Sequence, residues 1–390
     1  MCICKASEGI AQLLNRKWFL SRPDTLIQPV LISSGKPDAF DVHGLHFSSP
    51  KESKRILDSP GVFHVIRDDL LHPLMGGNKL RKLDALVPLL QSASVTDVIT
   101  CGGCQSGHAA ALAVACSESG LRARLLLRGE RLSVPTGYNL ISGMYGEVIY
   151  IPRSEYAERD DMLRKYAKSV AGGGTVVQIK DIRANFDGTF EQSQSIGIGQ
   201  TSKKVAVVKE GASDVIALLG LIRLVDYLSQ PCLLGSNRRL QLVIDCGTGT
   251  TAIGVALAIW ILRLPWKVIG VMLVGALKDF KNLERKLLDD FKEMWHQDTD
   301  CGITREGLET CLEWVKRPRP RKFGNVLEGE IQTCQKVARE TGILLDPIYT
   351  LAAWEVSSNL ALSGKEETVM LHTGGTMSLF GVAQRYPSQF

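Results

Sequence analysis

Short runs of consecutive apolar residues recur along this 390-residue chain, separated by longer stretches rich in alanine and leucine. Runs at 62–67, 97–101, 123–128, 147–151, 240–245, 267–273 and 368–372 have the length and β-branched content of strands. Several are apolar on successive rather than alternate positions, as expected of strands covered on both faces. Stretches such as 109–116 and 252–262 have helix length and composition. This alternation predicts an α/β chain whose mainly parallel sheets are flanked by helices.

Two polar segments interrupt the pattern. Residues 33–59, broken up by Pro, Gly and Ser, read as a surface insertion, and residues 185–204, rich in Gly, Ser and Gln, as a flexible loop. The most apolar stretch, 252–277, is cut by Arg263, Pro265 and Lys267 into pieces too short to cross a bilayer, so it is expected in the core. The first 22 residues carry Lys5, Arg16, Lys17 and Arg22 against Glu8, a faint sign of an organelle address.

At 45% hydrophobic and 22% charged, the composition is that of a soluble globular protein with room for two domains. Its net charge, 46 − 41 = +5, is spread along the chain, which suits a small anionic ligand and gives no case for nucleic acid or a membrane partner. Ten cysteines in a chain this long are expected to be reduced thiols. Cys101 and Cys104 match C-x-x-C, but no second pair or histidine set stands at ligand spacing, so no metal is expected.

Five polar, glycine-containing segments carry the candidate chemistry. In Gly76-Gly77-Asn78-Lys79-Leu80-Arg81-Lys82-Leu83, Lys79 is the candidate anchor for an aldehyde cofactor, since a lysine amine of lowered pKa forms a Schiff base. The two glycines permit close backbone approach, and Asn78 offers an amide; a basic helix start remains the plain alternative. Ser106-Gly107-His108 follows a strand and opens a helix, a geometry that favours an anion such as a carboxylate, or makes Ser106 only an N-cap. Gly247-Thr248-Gly249-Thr250-Thr251 repeats that logic between a strand and a helix. Lacking a P-loop lysine, it suits a phosphate whose charge is handled by amides alone. Tyr349, after a proline turn, either presents its phenol to a substrate or is simply buried. Thr373-Gly374-Gly375 ends a strand at the sheet edge where α/β folds bind ligands.

In this order, GGNK, CQSGH, GTGTT, LDPIYT and HTGGT resemble the pyridoxal-phosphate enzymes of the tryptophan synthase β-chain fold. The nearest branch joins D-cysteine desulfhydrase with 1-aminocyclopropane-1-carboxylate (ACC) deaminase, and the resemblance runs from about residue 60 to 386. It implies two open, twisted, mainly parallel sheets with the cofactor, pyridoxal 5'-phosphate, between the domains. It further implies an N-terminal extension over 1–59, a large domain over 60–83 and 205–390, a small domain over 84–184 and a loop over 185–204. Residue by residue, Lys79 would anchor the cofactor with Asn78 beside it, Gly247, Thr248, Gly249, Thr250 and Thr251 would cradle the phosphate, and Thr373 would hydrogen-bond the ring nitrogen. Ser106, Gly107, His108, Tyr349 and Thr350 would face the substrate, with Lys79, Ser106 and Tyr349 catalytic.

ACC deaminases typically have Glu after the active-site tyrosine and Leu before the Gly-Gly pair; Thr350 and Thr373 instead resemble D-cysteine desulfhydrase. The implied activity is β-elimination of D-cysteine, a small amino acid, to pyruvate, ammonia and hydrogen sulfide. The alternatives are ACC deamination or cofactor binding without turnover. Gly107 stands where relatives commonly have Asn, and Thr250 where many have a second glycine. The resemblance also implies a homodimer and, by likeness to plant members, a mitochondrial rather than cytoplasmic location.

Overall fold

A computed structural model describes residues 9–34, 45–49, 61–183, 202–295 and 304–390. The chain builds two sheets. The first has seven strands: β1 (Ile27–Ser34), β2 (Leu45–Ser48), β3 (Val62–Ile66), β9 (Leu240–Cys246), β10 (Trp266–Met272), β11 (Leu312–Lys316) and β12 (Glu367–Leu371). Their order is β11-β10-β9-β12-β3-β1-β2, parallel from β11 to β3, with β1 and β2 adding an antiparallel edge. The second sheet is wholly parallel, in the order β6-β5-β4-β8-β7, from β4 (Asp97–Gly103), β5 (Arg122–Arg128), β6 (Glu147–Ile151), β7 (Thr175–Gln178) and β8 (Lys204–Val207). All seven strands expected from apolar runs form, and β3 is buried at every position, as a strand covered on both faces must be.

The expected surface insertion over 33–59 is corrected at one point. Leu45–Ser48 pairs with the end of β1, because the short apolar LHFS can cover one face of an edge strand. Residues 185–201 of the expected loop lie outside the described residues, while Lys204 opens β8. The strand Lys204–Val207, placed at the head of the expected large-domain segment, pairs instead with β4 and β7 of the smaller sheet.

Three helices form the packing that holds the candidate site: Gly77–Ser92, Ile216–Leu228 and Thr250–Ile261. They approach closely because of small residues. A Cβ on Gly220 would lie 1.9 Å from the Arg81 carbonyl oxygen, and one on Gly254 would lie 2.5 Å from Leu221. The apolar stretch beginning at 252 is the core helix expected of it, and Ala252 to Ile259 are all buried. Among the described residues, no helix is long and apolar enough to cross a membrane.

Candidate active site

The GGNK, CQSGH, GTGTT and HTGGT segments lie at or just beyond the ends of β3, β4, β9 and β12 and come together between the sheets. Asn78 is the hub. Its backbone N–H donates to the Thr373 carbonyl (3.2 Å), and its side-chain Nδ2 donates to Thr251 Oγ1 (3.1 Å), joining three motifs. The Lys79 Nζ stands 5.2 Å from the centre of the Tyr349 ring, and a Cβ on Gly107 would meet Lys79 Cε at 3.5 Å. One cavity is lined by Asn78, Lys79, Ser106, Gly107 and His108, and also by Gly247, Thr248, Gly249, Thr251 and Tyr349.

The three cations of the GGNKLRKL segment have separate fates. Arg81 is fully buried and donates two hydrogen bonds to Asp68 (3.0 and 2.8 Å) and a third to the Pro23 carbonyl, a structural clamp. Lys79 and Lys82, three positions apart and so on one helix face, both line the cavity. Lys82 Nζ is held by the Gly211 carbonyl at 2.6 Å. Lys82 thus brings a cation to the same cavity as the loop expected to serve a phosphate with amides alone.

Two further expected site residues stand behind the cavity wall. Thr350 does not line the cavity: its hydroxyl accepts from Asp346 N–H (2.8 Å) and donates to the Asp346 carboxylate (3.0 Å). The same carboxylate accepts from Tyr349 N–H (2.8 Å), so Thr350 acts by fixing the turn that presents Tyr349. The Thr373 hydroxyl donates to Asp245 Oδ1 at 2.7 Å, and Asp245 rather than Thr373 lines the cavity. Thr250 faces away as well, donating to Ser213 Oγ (3.2 Å) while pairing with Thr248 Oγ1 (3.1 Å). The left-handed turn of that loop falls on Gly249 (φ 93°), which spares Thr250 from strain.

Ser106 is both a cap and a lining residue, since its Oγ accepts from Ala109 N–H (3.2 Å). A Cβ on Gly102 would lie 2.4 Å from that Oγ, which explains the glycine. Where relatives commonly carry Asn, a Cβ on Gly107 would meet the Tyr138 ring at 3.2 Å; the buried ring takes the space that a larger side chain would need. Lys82, Glu210, Gly211, Asp245 and Cys246 also line the cavity, and motif reading missed them. Only the i, i+3 spacing of Lys82 from Lys79 was there to be used. Cys101 is buried, its thiol pushed up to about 12 mainly by burial, which makes it a poor nucleophile.

Burial sets the electrostatics. It lowers the Lys79 pKa against the pull of Asp245 and Asp346, and lowers Lys82 to about 7, with Lys79 adding repulsion. It raises Asp245 to about 6, partly opposed by Lys79 and the Thr373 hydrogen bond. The Tyr349 phenol is raised by burial and by Asp346, so it stays protonated.

His108, whose Nε2 pairs with Thr100 Oγ1 at 3.1 Å, is pushed down to about 3 by burial, then by Lys82 and Lys79. The folded chain therefore refuses a proton that the unfolded chain accepts below pH 6.5. The stability contributed by neutral His108 is complete above 6.5 and drains as pH falls toward 3, amounting to about 2 kcal/mol by pH 5. His64, lowered to about 4, acts in the same direction. Urea unfolding of the His108→Gln protein at pH 7 and pH 5 should show the stability difference shrunk by about that amount. An unchanged difference would mean that His108 is not the neutral buried group described.

Comparison with known proteins places this geometry. A family model described as "Pyridoxal-phosphate dependent enzyme" matches residues 51–374. A rice (Oryza sativa subsp. japonica) protein named "Putative D-cysteine desulfhydrase 2, mitochondrial" is 46% identical over 98% of this chain and 95% of its own length. An Arabidopsis thaliana protein named "Bifunctional D-cysteine desulfhydrase/1-aminocyclopropane-1-carboxylate deaminase, mitochondrial" is 23% identical over 80% of this chain and 72% of its own. The solved structure of an ACC deaminase homologue superposes with a TM-score of 0.65 at 25% identity, covering 84% of this chain and 89% of the other. With its two open, mainly parallel sheets and a lysine-bearing cavity between them, the chain belongs to the pyridoxal-phosphate dependent enzymes.

Proposed function

We propose that this enzyme splits D-cysteine by β-elimination into pyruvate, ammonia and hydrogen sulfide. The observation that carries the reading is the 46% identity, over 98% of the chain, to the rice protein named as a D-cysteine desulfhydrase.

The residues present fit pyridoxal phosphate. Asn78 Oδ1, beside Lys79, is buried with no hydrogen-bond partner among the described residues, an acceptor suited to a ring hydroxyl. The Gly247–Thr251 loop opens the Thr250–Ile261 helix, whose first amides and dipole favour a phosphate, with Lys82 as counter-cation. Lys79 is the proposed covalent anchor, and the Asp245–Thr373 pair is proposed to meet the ring nitrogen.

When bound, the cofactor supplies an electron sink for the pair left as the α-proton departs. Lys79, its pKa lowered by burial, would be the residue that takes and holds that proton. Ser106 and the amides at the start of the Gly107–Glu118 helix receive the substrate carboxylate. Tyr349, protonated and held by the Asp346 turn, donates a hydrogen bond to the substrate beside Lys79. The bond from the β-carbon to sulfur breaks with sulfide as the leaving group, and the aminoacrylate released hydrolyses to pyruvate and ammonia.

Purified holoenzyme given D-cysteine, L-cysteine and ACC in separate assays should release sulfide and pyruvate fastest from D-cysteine. A larger flux of α-ketobutyrate from ACC would reverse the assignment in favour of the deaminase reading, which the bifunctional name of the Arabidopsis relative keeps as second choice. Mitochondrial residence is proposed on the rice relative's name, and import of a tagged full-length chain into isolated mitochondria tests it. A homodimer is proposed on the family resemblance alone; light scattering at working concentration tests it.

A further inference from the structure

A second cavity, of about 520 Å³, opens beside the active site and is lined by cations from both sheets' surroundings. Arg128 ends β5, and Arg153 and Arg159 follow β6; Lys322 follows β11 of the seven-stranded sheet, and Arg385 ends the Ser378–Arg385 helix, which packs on the Gly137–Tyr145 helix. No carboxylate stands among the lining residues. Arg159 reaches Glu210 at 3.5 Å, and Arg385 donates to the Gly324 carbonyl and Asn325. Arg128, Arg153 and Lys322 have no acidic partner among the described residues. So many cations facing one concave space, largely without counter-charge, repel one another and raise the local potential for an anion. A single carboxylate would neutralise only one of them.

We propose that this cleft binds a small polyanion carrying two or more phosphate groups, free or borne on an organic body, and that its occupancy slows turnover. Arginine forks on one wall and a lysine on the other match the oxygens of linked phosphates. A concave cleft of this size suits a small molecule over a duplex, which would need an extended basic stripe. The two cavities share walls. The Tyr156 ring has Arg128 and Arg159 against it (5.2 and 5.8 Å), and its hydroxyl donates to Glu210, which lines the catalytic cavity. The Phe323 ring lies edge-on to Tyr349, with centroids 5.5 Å apart. A polyanion that draws Arg128 and Arg153 toward Lys322 and Arg385 ties the two walls together at those shared contacts.

The slowing rests on the D-cysteine reading; the binding does not. Holoenzyme with saturating cofactor would be titrated calorimetrically with tripolyphosphate at physiological ionic strength, without substrate. One-to-one binding is expected, weakened at least tenfold in the Arg153→Ala/Lys322→Ala protein and unchanged in Lys168→Ala/Lys278→Ala, which loses the same charge elsewhere on the surface. All four side chains are exposed, so cofactor absorbance should be unaltered in both. A parallel arm with adenosine triphosphate identifies the source: tighter binding means that an organic body contributes, and equal binding means that the phosphates alone do. No binding, or equal loss in the two double variants, overturns the site. Binding without any fall in sulfide release overturns the regulatory half, whereas absence of sulfide from D-cysteine even without polyanion indicts the catalytic reading instead.

Discussion

The Lys79→Ala protein is expected to lose sulfide release by about 10³-fold or more, together with the visible absorbance of lysine-bound cofactor. Removing a positioned base alone typically costs 10²–10⁴-fold, and here the same change removes the covalent anchor. The rival is Lys82, which lines the same cavity and is lowered to about 7 by burial. Geometry separates them. Lys82 Nζ is engaged by the Gly211 carbonyl at 2.6 Å, whereas Lys79 has no hydrogen-bond acceptor among the described residues and lies against the Tyr349 ring. The Lys82→Ala protein should therefore keep the visible band and bind cofactor more weakly, by about tenfold, the worth of one charge-assisted contact. If the band survives in Lys79→Ala and vanishes in Lys82→Ala, the anchor has been assigned to the wrong lysine.

That ambiguity marks how far the sequence could be read. Most of the strands that were legible are buried on both faces, such as β3 and β9, where nearly every position is apolar; the edge strand β6 was legible through its apolar run alone. Those missed at or near sheet edges carry mixed residues, Pro29 in β1 and Glu313 and Lys316 in β11, whereas β8 is interior and buried but only four residues long. An edge strand buries one face or less, so its pattern fades into that of a loop. Site residues followed a similar rule. Glycine turns announce themselves because they need unusual backbone freedom, and GGNK, GTGTT and HTGGT were found that way. Asp245 was hidden inside an apolar strand, and Glu210 and Gly211 sit in a short turn without a signature; only the fold brings them to the cavity. The hydroxyls of Thr350 and Thr373 prove to be engaged with Asp346 and Asp245, which local sequence does not reveal.

The Gly374→Ala protein is expected to be destabilised by about 2–6 kcal/mol, summing backbone strain of about 1–3 and overpacking of about 1–3. Gly374 has φ of 90°, in the region that side chains rarely adopt. A Cβ there would lie 2.8 Å from Gly76 Cα and 2.8 Å from Gly77 N, atoms of backbone that have no rotamer into which to retreat. Relief would have to come from parting the two loops. The contact next to it is the hydrogen bond from Asn78 N–H to the Thr373 carbonyl, so the same movement displaces the turn that carries Lys79. Loss of stability and loss of cofactor should accordingly appear together in this variant. Gly143→Ala makes the control: it lies in the Gly137–Tyr145 helix, its φ is not positive, and a Cβ would meet nothing within 4 Å. That change should be neutral or stabilise by about 0.5–1 kcal/mol, with cofactor binding intact. Urea midpoints and cofactor titration of the two variants decide the matter. A Gly374→Ala protein as stable as the parent would mean that the two loops are not in backbone contact, and with that contact would go the argument for how Lys79 is held in place.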